Sequence, residues 1–247
     1  MPLSEASAFA ESVAGVLGRH GAESPELAEL LDGLGWGTLA HDEALTDCAG
    51  LGAVELGRRL APIHTVDRLL GAAPMAGDLA RSLGEELVAV ADGRCVLVRR
   101  CEPVASADGL EVHRVLERGE VLGEVSPTAR AAWRVASVGY LAGLGQGALE
   151  LTVDYVRQRR AFGSTLAALG PVQQLLAGAA TAVSGVRLLA GASPDDEALA
   201  HAGAAVAEAC AACHQVTGAI GFTLEYPLHR YTQRARALAV WNDALLD

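Results

Sequence analysis

This chain lacks a basic stripe, a leader peptide, a disulfide framework and a repeated pair of metal ligands, and each absence removes a class of function. Positive charge is in deficit: 19 Lys+Arg stand against 30 Asp+Glu, a formal net charge of −11. Nucleic acids and anionic membranes both require a basic face, so neither is expected as the main partner. No apolar run is long enough to span a bilayer and no charged-then-apolar leader opens the sequence, so a cytoplasmic protein is expected. The cysteines, Cys48, Cys95, Cys101, Cys210 and Cys213, are odd in number and irregular in spacing, which argues against a disulfide scaffold. Cys210-Ala-Ala-Cys213-His214 matches the C-x-x-C-H pattern of covalent haem attachment. It lies inside AHAGAAVAEACAACHQV, an alanine-rich helical stretch, so both cysteines are expected to be small buried residues. No second pair of ligands stands at a suitable distance for zinc, and no metal is expected. Gly143-Leu-Gly145-Gln-Gly147 invites a dinucleotide reading, but no strand precedes it, and close helix packing explains it better.

What is present is enough to build a core: 247 residues, 51% hydrophobic and 20% charged, suit one or two globular domains. Within residues 1–85, expected as an N-terminal helical domain, about Ser4 to Leu70 carry helical apolar spacing: Ala8, Val13, Val16 and Leu17, then Leu27, Leu30, Leu31 and Leu34, then Leu51, Val54 and Leu60. Three helices are predicted there. Residues 86–126, with VAVADGRCVLVRRCEPV and LEVHRVLERGEVLGEV punctuated by Gly93 and Pro103, read as a small segment of short strands. Residues 127–247 contain four helical stretches, at 128–158, 171–190, 194–217 and 227–246, whose short connections predict an antiparallel four-helix bundle. Ser193 as N-cap, Pro194 at the first helical position and two following acids mark the third start. The stretch Ala131 to Val156 has too few charges to face water, so other bundle helices and another subunit are expected to cover it.

Two tracts in the bundle carry the functional signal. YVRQRRAFGSTLAALGPVQQLL (155–176) joins a buried helix to a cationic turn and then to a second helix opened by Gly170-Pro171. Arg157, Arg159 and Arg160 suit a helix C-terminus, and a fixed guanidinium also suits a diphosphate. QVTGAIGFTLEYP (215–227) puts Gly218 and Gly221 where backbone would approach a ligand closely, though a helix C-cap and turn would use the same residues. Together these tracts resemble the acyl-CoA dehydrogenase family, through its Arg-x-x-Phe-Gly motif with a later glutamine and its Gln-x-x-Gly-Gly-x-Gly-Phe-x-x-Glu segment. One of that segment's glycines is Ala219 here. LDGLGWGTL and AVELGRRLAP resemble the family's N-terminal helical domain, with a shorter loop between them.

The resemblance implies a mainly α fold: an N-terminal helical domain, a reduced β segment and a C-terminal four-helix bundle. It also implies FAD, with Arg159 at the diphosphate, Phe162 packed against the cofactor, and Gln173, Gln215 and Gly218 bordering its adenine or ribitol end. The family's reaction removes the α proton of a CoA thioester with a glutamate base while the β hydrogen leaves as hydride to flavin N5. Counting from the motifs places that base at Asn242 or Trp133, and neither accepts a proton at neutral pH. Asp243 is adjacent, but one residue along a helix turns the side chain by about 100°. In the family each flavin lies between the β domain of one subunit and the bundle of another. A non-catalytic subunit is therefore expected, resembling the heteromeric acyl-CoA dehydrogenases of bacterial steroid catabolism. It would share FAD with a longer catalytic subunit, as an α2β2 heterotetramer in which the partner mainly binds the acyl-CoA. Two alternatives stay open: a homo-oligomer with its own flavin or acyl-CoA site, and a ligand-free structural or regulatory bundle.

Overall fold

Helix α1 (Glu5–His20) starts where Ser4 Oγ accepts the Ser7 N–H at 3.2 Å, and it carries Glu5 in its first turn and Arg19 and His20 in its last. Cap and charges all oppose the helix dipole. The structure, a computed structural model, describes residues 4–83, 87–106, 110–161 and 163–245. Helix α2 (Leu27–Gly33) buries Leu27 and Leu31. Two 3-10 turns, Trp36–Ala40 and Glu43–Leu45, lead into α3 (Thr46–Arg58). These are the three expected helices, except that Leu60 lies beyond α3 with a positive φ of 56°. A single turn, α4 (His64–Asp67), follows.

The sheet begins earlier than its sequence pattern. Strands β1 (Ala73–Ala76) and β2 (Leu79–Arg81) precede β3 (Val88–Ala91), β4 (Arg94–Val104) and β5 (Val112–Glu124). The first two fall inside residues 1–85, assigned to the helical domain, because APMAGDLAR has no β-branched residue to announce a strand. Pairing decides their conformation: β1 lies antiparallel to β2 and parallel to β3, closing a barrel of order β1-β2-β5-β4-β3. The expected short strands are thus a closed barrel, two of whose strands are long, and closure leaves no free edge. Asp92-Gly93, at φ 51° and 74°, makes the tight turn between β3 and β4. Ala73, Met75, Ala80, Leu83, Ala89, Val98 and Val115 fill the interior.

The bundle matches its pattern closely. Helix α5 (Pro127–Gln158) is followed by the short hairpin β6 (Arg160–Ala161) and β7 (Ser164–Thr165), then α6 (Gly170–Ala190), α7 (Asp196–Thr217) and α8 (Leu228–Ala244). The α7 cap differs from expectation. Ser193 takes a positive φ of 51°, Pro194 stays outside the helix, and Asp195 Oδ1 caps it by accepting the Ala198 N–H at 2.8 Å. Proline at 194 and acids at 195 and 196 signalled a start, and the turn geometry shifted it by two residues. Cys210 and Cys213 are fully buried in α7, and among the described residues no set of three metal-ligating side chains gathers.

Helix α5 is covered by its own chain, which corrects the expectation that another subunit must cover it. Helices α3, α6, α7 and α8 all pack on it. Its glycines explain how α3 comes so close: a Cβ at Gly139 would collide with Gly50 O, one at Gly143 with Val54 O, and one at Gly57 of α3 with Tyr140 O. In the glycine series 143–145–147, a Cβ at Gly147 would likewise meet Arg58 O of α3, whereas one at Gly145 would meet Val183 of α6, so the series serves close packing on two sides. Among the described residues no helix is long and apolar enough to cross a membrane.

Candidate functional site

A cavity of about 550 Å³ lies between the barrel and one end of the bundle. Leu70, Met75 and Val90 give it apolar wall, α7 adds Asp196 and Leu199, and α5 and α8 add Trp133 and Asn242. The two positions that the motif count offered as alternatives thus stand on one wall. Trp133 is fixed from behind: its Nε1–H donates to Asp67 Oδ1 at 3.0 Å. Asp67 also accepts from Arg81 Nε at 3.0 Å, Arg81 Nη2 at 2.9 Å and Ser82 Oγ at 2.8 Å, and the Trp241 ring lies 5.5 Å from the guanidinium. Asn242 is buried with its Nδ2 facing Leu199 O at 3.5 Å, whereas Asp243 is exposed. Among the described residues, the carboxylates on the wall are Asp92, in the β3–β4 turn, and Asp196, which is ion-paired with Arg134 at 2.9 Å.

The residues expected at the cofactor lie at the other end of the bundle. Trp133 and Arg159 are 26 residues apart along α5 and its cap, about 39 Å at the helical rise. Antiparallel packing brings the C-terminus of α5, the N-terminus of α6 and the α7–α8 turn to this end. Tyr226 confirms the juxtaposition, because its hydroxyl donates to Leu151 O at 2.7 Å and its ring sits 5.8 Å from that of Tyr155. Of the three arginines, Arg157 pairs with Asp154 at 4.0 Å and Arg160 Nη2 reaches Gly163 O at 3.5 Å. Arg159 caps α5 in extended conformation, and its exposed guanidinium makes no ion pair or hydrogen bond among the described residues. Gln173, exposed in the first turn of α6, donates from Nε2 to Ala167 O at 2.9 Å. Gln215 is exposed in the last turn of α7, and Gly218 closes that helix at φ 68°. Phe162 lies outside the described residues.

Sequence reading missed His214, which is only 5% exposed beneath the same turn. Its Nε2 is 2.7 Å from Thr232 Oγ1 of α8, and the Phe222 ring lies 4.4 Å from the imidazole. The signal was available as spacing: Cys210, His214 and Thr217 stand four and three residues apart on the inward face of α7.

Residues 128–242 match the family model described as "Acyl-CoA dehydrogenase, C-terminal domain". The helical half of this chain is an acyl-CoA dehydrogenase C-terminal domain. The whole chain takes the acyl-CoA dehydrogenase fold, as its likeness to solved structures shows. It aligns with the Tcur3481-Tcur3483 steroid ACAD at 17% identity and TM-score 0.69, covering 95% of this chain and 92% of that one. The ChsE4-ChsE5 complex from Mycobacterium tuberculosis aligns at 16% identity and TM-score 0.68, covering 100% and 95%. A glutaryl-CoA dehydrogenase from Mycobacterium smegmatis in complex with FADH2 aligns at 15% identity and TM-score 0.61, covering 99% and 93%. Comparison with curated proteins gives no match at the sequence level.

For an acyl-CoA dehydrogenase domain, the donor set at the Arg159 end suits part of a flavin dinucleotide. A free guanidinium complements a diphosphate, and exposed amides complement ring nitrogens and ribityl hydroxyls. At Gly218 no atom of the described residues lies within 4 Å of where a Cβ would stand, so the backbone is open to close approach.

Proposed function

We propose that this chain is a non-catalytic subunit of a heteromeric FAD-dependent acyl-CoA dehydrogenase, completing the FAD site of a longer catalytic partner. The separation described above carries the proposal. The flavin-type donors sit about 39 Å along α5 from the chain's own cavity, too far for one molecule to hold both ends of one cofactor at one site. They are of use only to a cofactor lodged in a neighbouring subunit. The chain's own cavity meanwhile holds Trp133 and Asn242 where the family's base is expected, and neither side chain accepts a proton at neutral pH. Likeness to the steroid ACAD and to the ChsE4-ChsE5 complex favours a two-gene assembly. On that model the complex is a cytoplasmic α2β2 heterotetramer. The partner binds most of a CoA thioester, of steroid-derived type, and FAD supplies the hydride acceptor. This chain's part is to bind and orient the dinucleotide: Arg159 at the diphosphate, with Phe162, Gln173, Gln215 and Gly218 around its adenine or ribitol end.

The test is co-expression with a longer acyl-CoA dehydrogenase chain. A one-to-one complex is expected, and Arg159→Ala should leave it assembled while flavin is lost during purification. Losing a charge-assisted hydrogen bond to phosphate weakens binding by about 1.5 to 3 kcal/mol, roughly ten- to a hundred-fold. Arg157→Ala, already occupied by Asp154, is the control. Asp243→Ala should leave turnover within a few-fold of the parent, whereas loss of a positioned base lowers it about 10²-fold or more. Parental flavin occupancy in the Arg159 variant refutes the across-interface reading. A yellow homo-oligomer from the chain alone would favour a self-contained flavin site, and a colourless stable one a ligand-free bundle.

A further inference from the structure

We infer that His214 is the positioning residue of the α7–α8 turn, the wedge that holds Gly218 and the end of α7 carrying Gln215 in place. The inference deepens the proposed function, since that turn supplies two of the proposed FAD contacts. Three contacts, one from α8 and two from the turn, support it. On the α8 side, His214 Nε2 lies 2.7 Å from Thr232 Oγ1. Thr232 Oγ1 also lies 3.3 Å from Leu228 O, so a hydroxyl that donates there accepts the bridging proton from Nε2. On the turn side, the Nδ1 edge faces the backbone of Gly221: a Cβ there would stand 2.9 Å from Nδ1 and would collide with Thr217 Oγ1. Across the ring face, Phe222 lies 4.4 Å away at a tilt of 30°, although 71% of that side chain is exposed. A phenylalanine so exposed owes its placement to the imidazole beneath it.

Among the described residues the buried Nδ1 has no hydrogen-bond partner, so the ring is held by one nitrogen, one edge and one face. The geometry also defines which protonation state fits. A proton on Nδ1 would be buried without an acceptor among the described residues, since no hydrogen-bond partner stands at that atom. From α8, the groups facing the imidazole electrostatically are Arg236 and His229. Burial first, then these two groups, hold its pKa below the ordinary 6.5.

The experiment is hydrogen exchange by mass spectrometry on the full chain, read at residues 218–226, alongside flavin absorbance of the assembled complex. His214→Ala should speed exchange in that segment about ten-fold or more while α3 and the middle of α5 stay protected. His214→Gln, whose amide can again donate to Thr232, should restore most of the protection. Should the alanine variant fail to fold, Thr232→Val removes the hydrogen-bond acceptor at constant shape and should give the same local loosening. Parental exchange in these variants, or loosening spread evenly over the chain, overturns the inference. Local loosening with loss of flavin from an assembled complex supports both readings. Local loosening with parental flavin occupancy keeps His214 as the positioning residue and overturns the proposed cofactor contacts.

Discussion

Replacing Arg81 by methionine tests how the three parts of the chain are tied together. Arg81 and Asp67 are 1% and 3% exposed, and they meet through two hydrogen bonds, at 3.0 and 2.9 Å. The pair links β2 to α4, and Trp133 and Ser82 join α5 and the barrel edge to the same carboxylate. Removing the guanidinium leaves a buried carboxylate with two neutral donors, a loss of about 3 to 5 kcal/mol. The Trp241 contact at 5.5 Å adds about 0.5 to 2 kcal/mol when it goes. For a chain of this size each kcal/mol lowers Tm by about 2 to 4 °C, so a fall of roughly 7 to 28 °C is expected. Asp67→Leu with Arg81→Met removes both charges and their desolvation together. What remains is an unpaired indole N–H and a hydroxyl, about 1 to 3 kcal/mol each at most. The double variant should therefore be more stable than the sum of the singles by about 2 kcal/mol or more. Urea unfolding followed by tryptophan fluorescence and circular dichroism measures the cycle. If Arg81→Met shifts stability by less than about 1 kcal/mol, or if the singles simply add, the network does not tie the domains.

Further outcomes follow from the packing and the titrating groups. Gly143→Ala must push α3 from α5 at Val54 O and should destabilise by about 1 to 3 kcal/mol, whereas Gly178→Ala, with nothing within 4 Å on the outer side of α6, should be neutral or gain about 0.5 to 1 kcal/mol; thermal melts separate the two. A thiol reagent should modify Cys95 and Cys101 in the native chain and spare Cys48, Cys210 and Cys213, which are buried; burial pushes the Cys210 thiol up to about 12, and peptide mapping after alkylation reads the pattern. Burial also holds His64 and His214 below 6.5, so the unfolded chain binds more protons than the folded one in the window beneath that value. Stability is therefore full above pH 6.5 and declines as pH falls through the folded values; a Tm that rises between pH 7 and pH 5 would contradict this sign.

Much of the bundle was legible in the sequence because helix formation and facial burial are local. The uncharged run of α5, Gly170-Pro171 at the start of α6 and the apolar spacing of α7 each report on residues within a turn or two of one another. The glycine series of α5 was legible for the same reason, since small residues on a helix mean close neighbours, here α3 at Gly143 and Gly147 and α6 at Gly145. The strands β1 and β2 were not, because their side chains carry no strand preference and the barrel partners that fix them stand at β3 and β5. Asp195 displaced Ser193 as cap through a backbone turn that composition does not encode. The site divides in the same way. Residue types at Arg159, Gln173, Gln215 and Gly218 suggested a dinucleotide, yet only antiparallel packing gathered them at one end and put Trp133 and Asn242 on a single wall at the other. His214 became visible only when α8 and the turn closed over it. Hydrogen bonds and burial within an element are set by neighbours in sequence. Which elements meet is set by how their faces bury together, and that is a property of the folded chain alone.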